Sequence, residues 1–204
     1  MKKSTEKKER ALGMKLFLKG NRCNSPKCAM VRKAYRPGMH GQKSKRKLSE
    51  YGQQLLEKQR IKTSYILREA QMRRIFMKAL AKTGNVTEIV LSALERRLDN
   101  VVFRLGLANS RIIARQLINH GHFLVNNKKV NIPSYQVKIG DAITIKSPSL
   151  SLLQFNDLAN NLKNYKSPDW LELDKEKLTG RMKSLPTNIE IPFNINLVVD
   201  YYSK

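Results

Sequence analysis

The chain has 204 residues, 41% of them hydrophobic and 27% charged, and its 40 lysines and arginines against 16 aspartates and glutamates leave a formal net charge of +24. A chain of this size can bury a core, but such a charge repels itself unless a polyanion neutralises it, which makes nucleic acid the first candidate partner and an anionic membrane surface the second. No apolar run approaches the ~20 residues that span a bilayer, the N-terminus lacks the apolar core of a signal peptide, and two cysteines cannot build a disulfide framework, so a secreted mini-protein, a membrane protein and a disordered acidic chain are excluded.

The charge is uneven. It amounts to +13 over residues 1–50, +5 over 51–100, +6 over 101–150 and zero over 151–204. The polyanion-binding surface is therefore expected on the first three quarters, and the last quarter is expected to pack. Residues 1–45 mix cations with Gly13, Gly20, Pro26, Pro37, Gly38 and Gly41, which predicts an irregular basic arm that a partner orders. Leu16, Phe17, Tyr35 and Met39 distinguish it from a solvated tail.

Helical spacing begins with Leu48, Tyr51, Leu55 and Tyr65. It sharpens at Met72, Ile75, Phe76, Ala79 and Leu80, with Gly84 where a C-terminal cap belongs. Thr87 is placed to cap a third helix whose stripe runs Leu91, Leu94, Leu98, Val101, Val102 and Leu105, ended by Gly106. Ser110 is placed to cap a fourth, with Ile113, Ala114, Leu117 and Ile118 inward and Gly121 closing it. The period then changes to that of strands. Phe123–Val125 leads into Asn126-Asn127, a pair that tolerates the positive φ of tight hairpin turns, and Val130, Ile132, Tyr135, Val137, Ile139 and Ala142–Ile145 follow. This predicts a small antiparallel sheet appended to a helix pair. A helix is expected over about 150–162, Trp170, Leu171 and Leu173 are expected inside, and Ile189, Ile191, Ile195, Leu197, Val198 and Val199 read as a closing strand.

No enzyme motif is present: no glycine-rich phosphate loop, no HExxH, no nucleophile elbow and no paired carboxylates. The three histidines, His40, His120 and His122, stand in basic surroundings without an orienting acid. Neither catalysis nor a cofactor is expected. The Ser110–His120 helix is more informative. Arg111 and Arg115 lie at i and i+4, opposite Ile113 and Leu117; His120 ends the helix, and Lys128-Lys129 follow the hairpin tip. Such cations can grip phosphates across a groove, reading shape rather than base sequence. Charges merely paired on a solvated face are the alternative, weakened by Asp141 being the one acid within 101–150.

These residues carry a family resemblance. The run Leu94-Glu95-Arg96-Arg97-Leu98-Asp99-Asn100-Val101-Val102-Phe103-Arg104-Leu105-Gly106, continued through Ser110-Arg111, Ala114-Arg115-Gln116-Leu117, His120-Gly121-His122, Val125-Asn126, Pro133-Ser134-Tyr135-Gln136-Val137 and Gly140-Asp141, resembles the RNA-binding module of the small-subunit ribosomal protein four family. Leu18-Lys19-Gly20, Arg22-Cys23, Ser25-Pro26-Lys27-Cys28, Arg36–Gly41, Tyr51, Glu57-Lys58-Gln59 and Tyr201–Lys204 extend it over nearly the whole chain from about Met14. The bacterial type of that family implies an α+β fold: a mainly helical domain, residues 46–93 completed by 150–204, with the helix-pair and antiparallel-sheet module, 94–149, inserted into it, and the basic arm, 1–45, ahead.

The resemblance also implies a structural constituent of the small ribosomal subunit. Its members bind the five-prime domain of small-subunit ribosomal RNA early in assembly, lie near the messenger RNA entry channel beside ribosomal proteins three and five, and influence decoding accuracy; some repress their own operon. Localisation would be cytoplasmic or in an organellar ribosome, with no membrane partner. A free RNA-binding translational regulator or stress factor is the alternative. The residues assigned to RNA are Arg22, Lys27, Arg36, His40, Lys43, Lys45, Arg46, Tyr51, Lys58, Arg73, Arg74, Arg97, Arg111, Arg115, Gln116, His120, His122, Lys128 and Lys129. Some members hold a structural zinc with two cysteine pairs. Here only the second pair, Cys23 and Cys28, is present, and the first would fall near Glu6 and Glu9. Zinc wants four thiolate or imidazole ligands, so two free thiols and no metal are expected.

Overall fold

A computed structural model describes residues 5–43, 47–152, 155, 158–163, 165–187, 189 and 191–203. The chain divides into two compact units, Met1–Val90 with Glu190–Lys204, and Leu91–Ile189.

In the first unit, α1 (Thr5–Leu12), α2 (Asn21–Asn24) and α3 (Ala29–Arg32) precede the longer α4 (Glu50–Ser64) and α5 (Glu69–Leu80). The Ser49 hydroxyl starts α4 by accepting from the Gly52 N–H at 3.2 Å. The spacing read from the sequence is realised in α5, which buries Met72, Phe76 and Ala79. It ends before Gly84, with Ala81 at its C-cap. The following α6 (Val86–Glu95) starts from Asn85, not Thr87: the Asn85 side-chain oxygen accepts from the Thr87 N–H at 3.1 Å. The boundary between the units falls inside α6.

The N-terminal segment differs from the irregular arm expected of it. It buries Leu16, Leu18, Cys23 and Cys28, and Glu9, only 1% exposed, accepts from the N–H groups of Leu16 and Leu18 at 3.1 and 3.2 Å. Arg60 of α4 donates to the Leu12 carbonyl at 3.2 and 3.1 Å. A few apolar side chains around one buried carboxylate thus supply an ordering centre that charge counting hides.

The expected closing strand is instead a helix, α10 (Ile195–Ser203). Asn194 caps it by accepting from the Leu197 N–H at 3.4 Å. Ile195 and Val198 are buried, and Tyr202 meets Phe76 of α5 with ring centroids 5.1 Å apart. Packing of that face overrides the strand preference of its β-branched residues.

The second unit holds α7 (Leu98–Arg104), α8 (Arg111–Asn119), α9 (Leu158–Lys163) and a sheet of β1 (Phe123–Val125), β2 (Lys128–Lys129), β3 (Ala142–Ile145), β4 (Leu171–Asp174) and β5 (Thr179–Met182). The strand order is β2-β1-β3-β5-β4, and every neighbour pairs antiparallel. Asn126 and Asn127 adopt φ of 49° and 62°, the turn anticipated for them. Leu98, Val101 and Val102 of α7, Leu105 at its C-cap, Leu117 and Ile118 of α8, Phe123, Ile143, Phe155, Trp170 and Met182 share one core.

Two features depart from the sequence reading. The third helix is broken, because Arg97 is extended, forms a bridge with Gln136, and is followed by Leu98 and Asp99, whose N–H groups donate to the carbonyls of Tyr135 and Pro133. The sheet also does not end by residue 149. Residues 171–182, expected in the helical domain, add β4 and β5 next to β3, so the packing of Trp170, Leu171 and Met182 places that stretch in the second unit. The helix expected over 150–162 appears as α9, after a 3-10 turn at Ser147–Ser149; part of that range lies outside the described residues.

Candidate nucleic-acid interface

The Ser110 hydroxyl begins α8 by accepting from the Ile113 N–H at 3.3 Å, and Ala114, Leu117 and Ile118 bury the inner face. The outward arginines are not left to solvent. Arg111 donates from Nε to Asn100 Oδ1 at 2.8 Å, with its guanidinium 4.7 Å from the Phe103 ring centroid. Arg115 lies 3.6 Å from Asp99. Asp99 in turn accepts from Arg97 Nε and Nη2 at 3.0 and 2.6 Å, while the fully buried Glu95 accepts from Arg104 at 3.0 and 3.1 Å and from Asn100 at 2.7 Å. The acids that pair these arginines come from residues 95 and 99, so counting acids only within 101–150 understated the pairing.

Arg97 is a correction. It is 2% exposed and spends its guanidinium on Asp99, so it cannot reach RNA without unmaking the α6–α7 junction. Lys58 is the second. Its ammonium is 2.9 Å from Glu69 and 3.1 Å from the Tyr201 hydroxyl, and it lies 4.2 Å from the Tyr201 ring centroid, a buried cation holding α10 to α4 and α5.

Beyond α8, basic side chains converge. His120 is exposed and His122 half-buried, with ring centroids 6.0 Å apart. Lys128 and Lys129 are exposed on β2, and the Lys129 side chain crosses Gly121 so closely that a Cβ there would overlap its methylenes. Gly121 also has φ of 75°, where a side chain is strained. Lys146, which sequence reading missed, donates its backbone N–H to the His122 carbonyl at 2.9 Å. Only the pairing of Phe123 with Ile145 reveals that proximity. Burial, and then the charges of His120, Lys146 and Lys129, hold the His122 imidazole below its usual pKa. Gln116 is exposed on α8.

In the first unit, Arg22, Lys27, Arg36, His40, Lys43, Tyr51, Arg73 and Arg74 are exposed. Arg36 and His40 belong to a loop closed on itself: a Cβ on Gly41 would overlap the Arg36 carbonyl. Arg10 fixes the approach to that loop, donating to the carbonyls of Lys33 and Tyr35 at 2.9 and 3.0 Å with its guanidinium over the Tyr35 ring. Lys45 and Arg46 lie outside the described residues.

The residues near Cys23 and Cys28 do not fit a four-ligand zinc site. Glu6 pairs with Arg22 at 2.9 Å and Lys19 at 3.6 Å, and Glu9 is committed to two backbone N–H groups. Burial pushes the Cys23 thiol up, away from the thiolate that zinc binds. Among the described residues, no three His, Cys, Asp or Glu side chains are grouped to hold a metal ion, and no helix is long and apolar enough to cross a membrane.

Residues 1–95 match the ribosomal protein S4/S9 N-terminal domain family, and residues 96–143 the S4 domain family. The chain is 52% identical over 194 residues to small ribosomal subunit protein uS4 of Caldicellulosiruptor bescii, covering 94% of this chain and 93% of the relative. It is 50% identical over 197 residues to the uS4 of Gloeobacter violaceus, covering 96% and 94%, and 48% identical over 194 residues to uS4A of Alkaliphilus metalliredigens, covering 94% and 93%. With half its residues shared along nearly its whole length, the chain belongs to the uS4 family of small ribosomal subunit proteins.

Proposed function

We propose that this protein is a structural constituent of a bacterial-type small ribosomal subunit that binds the five-prime domain of small-subunit ribosomal RNA and helps nucleate assembly. The observation that carries the reading is the cluster of exposed cations at the α8 end and first hairpin, in a chain whose full-length relatives are small-subunit proteins. Lys128, Lys129 and the half-buried arginines of α8 present charge to which phosphates are attracted, the kind of contact that positions a backbone by shape. The exposed Arg22, Lys27, Arg36, His40, Lys43, Tyr51, Arg73 and Arg74 supply further contacts on the first unit. In the assembled subunit the protein lies near the messenger RNA entry channel, beside ribosomal proteins three and five, and contributes to decoding accuracy.

The test is a pair of measurements. Sedimentation through a high-salt wash should leave the protein on small subunits, and footprinting of ribosomal RNA with the purified full chain should protect the five-prime domain. Release by salt with no footprint overturns the reading in favour of a free regulator.

A further inference from the structure

Resting on that reading, we propose that His120, His122, Lys129 and Lys146 form a seat for one RNA backbone phosphate, and that His122 takes up a proton from solvent as the phosphate arrives. The seat is built by four converging elements. The α8 terminus brings His120, β1 follows from His122, and the β2 strand lays the Lys129 stem over Gly121 between them. Lys146 leaves β3 where its backbone N–H bonds to the His122 carbonyl. Ser149, itself 6% exposed, stands behind the ring with Oγ 3.0 Å from His122 Nδ1.

That hydrogen bond fixes the imidazole plane and engages Nδ1, so Nε2 is the ring's remaining donor position. When protonated, His122 donates from both nitrogens, to Ser149 and to a phosphate oxygen. The titratable and charged groups acting on it from the packed elements are His120, Lys146 and Lys129, with no acid among them. In the free protein they and burial disfavour the proton, so the ring is neutral at neutral pH. A phosphate reverses the local field, and the midpoint rises. A group whose midpoint rises on binding makes binding tighter as pH falls through the interval between the two midpoints, by about tenfold per unit of rise.

Two measurements on the full chain test this. In the first, the imidazole resonances are followed against pH by NMR in chloride and in sulfate at matched ionic strength, sulfate standing in for phosphate because its charge is constant there. The His122 midpoint, assigned with His122→Gln, should rise in sulfate. An unmoved His122 overturns the proposal without involving RNA. In the second, affinity for a five-prime-domain ribosomal RNA transcript is measured across the same range. The native chain should tighten several-fold more on acidification than His122→Gln does, since titration of the RNA itself is common to both. Lys146→Met, whose ring neighbour loses a like charge, should raise the free midpoint and shrink the pH effect. Equal pH dependence in the native chain and His122→Gln overturns the proton linkage, whereas failure to bind RNA at any pH overturns the ribosomal RNA reading and leaves the sulfate measurement to decide the seat.

Discussion

Arg115, one turn into α8, stands 3.6 Å from the Asp99 carboxylate at the start of α7. Because Asp99 also clamps Arg97, and Asn100 beside it holds Arg111 while bonding to Glu95, the α6–α7 junction dictates where the α8 guanidiniums point. The pairing is therefore part of the presentation of charge: it fixes where each planar guanidinium is held along α8.

Arg111→Ala with Arg115→Ala should weaken ribosomal RNA binding by ~2–4 kcal/mol, taking ~1–2 for each charged hydrogen-bonding contact. Lysine at both positions should recover only part, since an ammonium cannot reproduce the planar guanidinium that Arg111 holds over Phe103 and bonds to Asn100, nor its bidentate grip on phosphate. Affinity measured alongside unfolding separates the two roles: a loss of affinity fully explained by the fraction unfolded would reduce these arginines to scaffold.

Asp99→Ala should act chiefly on stability. It strands the buried Arg97 guanidinium, and removing one partner of a buried pair costs about 3–5 kcal/mol. Denaturant unfolding of the full chain reads this as a loss in the transition that reports the second unit. A change under ~1 kcal/mol would mean that Arg97 finds water or another acceptor.

Much of this architecture is legible in the sequence because its signals are local. The Ser110 cap, the Asn126-Asn127 turn and the buried face of α5 each follow from residues within one or two turns. The break at Arg97 does not, since it is imposed by carbonyls of Pro133 and Tyr135 more than thirty residues away, inside an unbroken apolar stripe. The strands over 171–182 were hidden for a related reason: β5 has Gly180 under Leu105 and no alternation of large apolar groups, so only its pairing with β3 identifies it. Of the site, the exposed cations were readable from composition. Which arginines and lysines are spent internally was not, because Arg97 and Lys58 have the same residue type as their exposed neighbours and differ only in what folds over them.

In the N-terminal segment, Glu9→Ala should destabilise the first unit by about 1–3 kcal/mol, the cost of leaving buried backbone N–H groups of Leu16 and Leu18 without an acceptor. Glu9→Gln keeps an acceptor oxygen and should lose less. Hydrogen exchange at Leu16 and Leu18 without RNA checks the same point, with protection expected in the native chain and lost in Glu9→Ala. A chelator should leave the unfolding midpoint unchanged.

The first unit should also lose stability in acid through Glu69. Burial alone would raise its pKa, but hydrogen bonds from Lys62, Lys58 and Tyr202 outweigh it and hold the carboxyl at about 2 rather than 4.5. A depressed folded pKa contributes stability above the unfolded value that is lost as pH falls through the folded one, here between about pH 5 and 2. Glu69 is half exposed, so solvent screening keeps the effect small. Comparing unfolding midpoints of the native chain and Glu69→Gln across that window isolates it from other carboxylates: the two curves should converge at the acid end. Parallel curves would assign the acid sensitivity elsewhere.

Salt dependence offers the most direct count of engaged cations. If about eight contact phosphate, log affinity for ribosomal RNA should fall with log salt at a slope near −6 to −7, taking roughly 0.7–0.9 per contact. Lys128→Gln with Lys129→Gln removes two exposed cations from the hairpin and should make the slope shallower by about 1.4–1.8. Lys175→Gln with Lys177→Gln is the matched control, because Lys175 donates to the Lys163 carbonyl and the turn places Asp174 and Glu176 among them. It removes the same charge from the near-neutral last quarter and should leave the slope unchanged. Equal flattening by both double variants would mean that net charge alone sets the affinity and that the hairpin is not a contact. A native slope shallower than about −2 would show that fewer than three cations are engaged, too few for the α8 end and the exposed residues of the first unit to act together.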